Sequence, residues 1–112
     1  MATKGNYLGE FEELVLLSAA SLTDQAYGVS IMQDIIEQTG RNVNISAVHE
    51  VLKRLEGKGY LKSKMGGATQ ERGGRRKRYF ILTASGKKTL EEAMKLKLQL
   101  YRRIPNFSMK PI

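Results

Sequence analysis

Glu71-Arg-Gly-Gly-Arg-Arg-Lys-Arg-Tyr-Phe-Ile-Leu-Thr83 begins as a glycine turn, becomes a run of four cations and ends as an apolar strand. Like charges set side by side repel, so Arg75, Arg76, Lys77 and Arg78 point to an anionic partner at the mouth of a buried element. Upstream, Tyr60-Leu-Lys-Ser-Lys-Met65 alternates with a period of two, placing Leu61, Ser63 and Met65 on one side and Tyr60, Lys62 and Lys64 on the other. Gly66-Gly67 and Gly73-Gly74 bound the polar loop between them. Two strands around such a loop predict an antiparallel β-hairpin, with Arg76–Leu82 as its return strand.

Three helices are expected before the hairpin. Leu8–Leu22 repeats Phe11, Leu14, Val15, Ser18, Ala19 and Leu22 at helical spacing, with Glu10, Glu12 and Glu13 near the start, where the helix dipole favours negative charge. Tyr27–Thr39 offers Val29, Ile31, Met32, Ile35 and Ile36 as buried residues and stops at Gly40. Ser46–Lys58 carries the stripe Val48, Val51, Leu52 and Leu55, with Ser46 as the expected N-cap. After the hairpin, Thr83 or Ser85 caps a last helix running to about Ile104. Its Leu90, Ala93, Met94, Leu96, Leu98, Leu100 and Tyr101 make an apolar surface wider than one seam.

The 112 residues suit one small core, and a chain of this size often gains stability by oligomerising. There is no cysteine, so disulfides and thiolate metal sites are excluded. The first residues have no apolar core of the kind a signal peptide needs, and no apolar run nears the roughly 20 residues of a membrane span. A cytoplasmic protein that does not engage a membrane is expected. The formal net charge is +8, and the stretch from Lys53 to Arg78 carries all of it, ten cations against Glu56 and Glu71. That concentration implies a polyanion.

The fold class that follows is mainly α with a small antiparallel hairpin, a winged helix-turn-helix. In that arrangement the third helix enters the DNA major groove and the hairpin is a wing on the backbone or minor groove. Residues 1–83 form the DNA-binding region and residues 84–112 a C-terminal helix and tail for dimerisation. Candidate contacts on the third helix are Ser46, Ala47, His49, Glu50, Lys53 and Arg54. The wing supplies Lys64, Arg72, Arg75, Arg76, Lys77 and Arg78, and Tyr27 stands at the start of the second helix. Tyr79, Ile81 and Leu82 are expected against the helical core. Glu50 repels phosphate, so it either reads a cytosine amino group or pairs with Lys53 or Arg54.

Several segments in order carry a further signal. They are Leu8-Gly-Glu-Phe-Glu-Glu-Leu-Val-Leu-Leu17, Ala26-Tyr-Gly-Val29, Ala47-Val48, Leu52-Lys-Arg-Leu-Glu56, Lys58-Gly-Tyr-Leu61, Glu71 to Phe80 and Leu82-Thr-Ala-Ser-Gly86. Together this series resembles the PadR family of bacterial transcriptional regulators. The resemblance implies a homodimeric DNA-binding regulator, generally a repressor, which in several members answers to a small aromatic or drug-like molecule. His49 departs from the tyrosine usual in the recognition helix. A single C-terminal helix also replaces the larger dimerisation region of many members. The dimer is expected through Leu90, Ala93, Met94, Lys97, Leu98 and Tyr101, with Phe11 of the first helix, and would face a palindromic operator.

Catalysis is disfavoured. The chain has one histidine, no motif pairing a nucleophile with a base, and no G-x-x-x-x-G-K-[ST] loop. No cofactor or metal is expected. The competing reading is a non-specific or architectural nucleic-acid binder, which a basic wing would serve equally well.

Overall fold

A computed structural model describes residues 7–66 and 77–105 of the chain. Four helices, α1 (Glu10–Leu22), α2 (Gly28–Thr39), α3 (Ile45–Gly57) and α4 (Ala84–Tyr101), enclose a hairpin of β1 (Leu61–Met65) and β2 (Arg78–Leu82) between α3 and α4. The strands are antiparallel in the register Leu61 to Leu82, Ser63 to Phe80 and Met65 to Arg78. This is the winged helix-turn-helix expected from the sequence. The tip of the wing, with Arg72, Arg75 and Arg76, lies outside the described residues.

Each helix begins and ends for a local reason. The Glu12 carboxylate reaches back to accept the Gly9 N–H at 2.7 Å, supplying one of the partners a helix start lacks. Ser30 does the same for the Tyr27 N–H at 2.9 Å. α2 stops where Gly40 takes a left-handed φ of 72°, which suits glycine, and gives its N–H to Ile36 O at 2.8 Å. α3 is capped by Asn44, whose Oδ1 accepts the Ala47 N–H at 2.8 Å. This corrects Ser46, which lies inside the first turn while the asparagine before it has the reach to cap. Thr83 caps α4, accepting the Gly86 N–H at 2.9 Å and donating to Gly59 O at 2.6 Å.

One core unites these elements. Val15, Leu16 and Ala19 of α1 meet Ile31 and Ile35 of α2, Val48, Val51, Leu52 and Leu55 of α3, and Leu61, Phe80 and Leu82 of the hairpin. Leu90 of α4 completes it. At the junction of α3, β1 and α4 the backbones nearly touch. A Cβ on Gly86 would stand 2.0 Å from the Tyr60 carbonyl oxygen, so only glycine fits there. Three expected core residues are exposed instead: Val29, Ile36 and Ile81. Val29 and Ile36 lie across α2 from Ile31 and Ile35. Ile81 faces away from Phe80 and Leu82, as strand alternation dictates.

Glu12 and Glu13 are both buried, although the dipole argument needs them only near the helix start. Each reaches a different element. Glu12 Oε2 lies 2.9 Å from Lys58 Nζ and 3.5 Å from Arg54 Nη1, while Glu13 Oε2 lies 2.8 Å from Lys97 Nζ of α4. A third bond, from Ser18 Oγ to Asp34 at 2.7 Å, holds α1 to α2. Among the described residues no helix is long and apolar enough to cross a membrane.

Candidate nucleic-acid interface

The outer face of α3 is set by what its inner face buries. With Val48, Val51, Leu52 and Leu55 inside, Ser46, His49, Glu50, Lys53 and Arg54 come out exposed, and Ala47 is half-buried at the edge. His49 leans towards α2. A Cβ on Gly28 would meet its Cε1 at 2.6 Å, so the missing side chain at position 28 makes the seat on which the imidazole rests. Arg54 turns the other way, to the Glu12 carboxylate. Burial pushes the Glu12 carboxyl up. The Gly9 N–H and Lys58 hydrogen bonds, with the charges of Lys58 and Arg54, outweigh burial and hold it below its ordinary value.

The wing is pinned at its base. Residue Tyr27 bridges to Tyr79 across an antiparallel pair, and the Phe80 N–H donates to Ala26 O at 2.9 Å. The Tyr27 and Tyr79 rings meet edge to face, with centroids 5.5 Å apart and planes at 75°. Lys77 Nζ sits 4.1 Å from the Tyr27 ring centroid, a cation–π contact. The half-buried Tyr27 therefore joins the start of α2 to the return strand and holds one of the wing cations in place.

On the other face of the hairpin, Arg78 Nη1 donates to Ser63 Oγ at 2.9 Å, and Ser63 Oγ donates to Glu56 Oε2 at 2.6 Å. This relay ties Arg78 to the end of α3. Lys64 is exposed on the opposite face, beside Tyr79 in the register. The described cations thus divide between the two faces of the wing. Lys64 lies on the Tyr79 face, and Arg78 on the Ser63 face. Sequence reasoning did not single out Ser63 or Glu12 as partners of Arg78 and Arg54. The only signals were a serine alternating with lysines and a carboxylate inside an apolar repeat.

The residues expected at a dimer interface fall into three groups. Leu90 is buried in its own chain, and Phe11, Ala93 and Met94 are half-buried, Phe11 and Met94 against that core. Lys97 is held by Glu13. Leu98 and Tyr101 are exposed on the last turns of α4, together with Leu96 and Leu100, and Ile104 is exposed just beyond it.

Comparison with known proteins agrees with this geometry. The family model described as the transcriptional regulator PadR-like family matches residues 16–92. The solved structure of smu.1704 from Streptococcus mutans UA159 is 34% identical, with a TM-score of 0.62 over 81% of this chain and 77% of that one. A PadR family transcription regulator from Clostridium difficile R20291 is 26% identical, with a TM-score of 0.64 over 86% and 95%. The fold is shared by a PadR-like transcriptional regulator from Bacillus cereus, 15% identical, with a TM-score of 0.71 over 90% and 93%. No curated protein matches the chain. The chain belongs to the PadR-like family of transcriptional regulators and is a transcription factor, not an enzyme.

Proposed function

We propose that the chain is a cytoplasmic, sequence-specific repressor that binds a palindromic operator as a homodimer. α3 enters the major groove and the wing lies along the adjacent backbone. The observation that carries this reading is the division of chemistry between the two elements. The outer face of α3 mixes a hydroxyl, an imidazole, a carboxylate and an amine at Ser46, His49, Glu50 and Lys53. The wing is dominated by cations. Base edges are read by mixed donors and acceptors, and phosphates are neutralised by Lys and Arg. A purely architectural binder needs only the second.

Residues 84–112 supply the dimer contact in this reading. Leu96, Leu98, Leu100 and Tyr101 are exposed on the far part of α4, and Ile104 just beyond it; a second copy of the chain would cover the side that Leu98 and Tyr101 share with Met94. A cavity of about 510 Å³ between the start of α1 and α4, lined by Tyr7, Leu8, Glu13, Tyr60, Ala93 and Leu96 among others, is large enough for a small aromatic effector that releases the DNA.

Selection of bound duplexes from a random pool by the full chain tests the proposal. The expected product is an inverted repeat with half-sites about one helical turn apart. A pool with no enriched sequence would leave the architectural reading in its place.

A further inference from the structure

We propose that Glu50 is a specificity-determining residue of the α3 face, reading a cytosine through its exocyclic amino group. The inference rests on the DNA-binding reading above and adds the base that one side chain selects.

Ser46, Glu50, Lys53 and Gly57 follow one another at spacings of four, three and four, and all are exposed. They form the line directly opposite Val48, Val51, Leu52 and Leu55, so Glu50 is central to the surface that would meet the groove. A carboxylate there opposes every phosphate it approaches, whatever the sequence. Something must offset that repulsion, and either a cation of the protein or a donor of the DNA could do so.

No described cation of the chain is paired with Glu50. Arg54 lies four residues after Glu50, the favourable order for a helical ion pair. Its guanidinium is instead turned to Glu12, 3.5 Å away, a carboxylate in a more buried and less screened place. Lys53 enters none of the ion pairs found among the described residues, and among those residues Glu50 has no ionic partner. The nearest acidic neighbour on the helix, Glu56, accepts from Ser63 instead. Among the described residues, Glu50 thus reaches the interface as an acceptor with no ionic partner.

The major groove offers two base donors, the amino groups of cytosine and adenine. Adenine sets its donor beside the N7 acceptor, an edge that suits an amide and turns a lone pair towards a carboxylate. Cytosine presents its amino group beside a C5–H, with no acceptor on its own ring edge. An acceptor-only side chain is therefore best matched to cytosine; guanine and thymine leave it desolvated and unpaired, and adenine sets a repelling lone pair beside its donor.

Sequence selection with the wild type and with Glu50→Gln, followed by affinities for each single-base variant of the selected site, tests this. The wild type should fix a cytosine at one position of each half-site and lose about 5- to 100-fold in affinity when it is replaced. Glu50→Gln should relax that position or move it to adenine and leave the rest of the half-site unchanged. Glu50→Ala should bind random duplex no more weakly than the wild type, because a repulsive charge has gone. A motif identical in wild type and Glu50→Gln overturns the role of Glu50 alone. A wild type that selects no motif overturns the DNA-reading proposal and this one with it.

Discussion

Lys58 Nζ stands 2.9 Å from the carboxylate of Glu12, which ties the end of α3 to the first turn of α1. The same oxygen faces Arg54, and the other oxygen of the carboxylate accepts the Gly9 N–H. One buried acid therefore fixes the start of α1 and the far end of α3 together. The sign of its pH dependence follows from its lowered pKa. Stability from Glu12 is present above the ordinary carboxylate range, near pH 4, and is lost as pH falls through the lower folded value. Denaturant unfolding between pH 7 and pH 3 should show that loss in the wild type. Glu12→Gln should be less stable at neutral pH by about 1–2 kcal/mol, since its cationic partners can still reach water, and should have a flatter acid limb.

Two glycines with close neighbours should behave differently when given a side chain. At Gly86 the obstacle is the Tyr60 backbone, which cannot move alone, so Gly86→Ala should cost about 3 kcal/mol or prevent folding. At Gly28 the obstacle is the exposed His49 ring. Gly28→Ala should change stability by less than about 1 kcal/mol while displacing His49 from the α3 face. Thermal unfolding and DNA affinity measured on both variants separate the two effects.

Replacing Arg75, Arg76 and Arg78 together should weaken binding to operator and random duplex alike. The slope of log affinity against log salt should become shallower by up to about 3, close to one for each phosphate that is no longer neutralised. Arg78→Ala alone should change it least, because Arg78 is already engaged with Ser63. Binding titrations from low to moderate salt read this directly.

Substitutions on α4 should divide at Lys97. Leu90→Ala removes a core side chain of its own chain and should cost about 2–4 kcal/mol. Leu98→Glu with Leu100→Glu acts on exposed positions and should leave the fold intact while producing monomers in sedimentation. A dimer that survives the double change would locate the interface on another surface.

The element order and the core stripe of α3 were legible because each depends on local periodicity. Val48, Val51, Leu52 and Leu55 repeat as a helix face must, and all four are buried. The cap of α3 was misread by two residues because serine and asparagine both suit the role, and only the path of the chain decides between them. Ile81 shows a different limit. An apolar residue in a strand looks buried until the partner layer is known, and here no element among the described residues covers that side fully. The ties from Glu12 to Lys58 and from Ser63 to Arg78 join residues 46 and 15 positions apart, beyond the reach of any periodic pattern. They decide where Arg54 and Arg78 are held, so that part of the candidate site was hidden until the fold was known.

Regulation by this chain turns on whether α3 and the wing distinguish one DNA sequence from another. The most direct measurement is the equilibrium affinity of the full chain for its selected duplex and for a shuffled duplex of the same length, at one fixed salt concentration near physiological. A sequence-specific repressor should prefer the selected duplex by about 10³-fold or more. Equal affinity for the two would contradict that function.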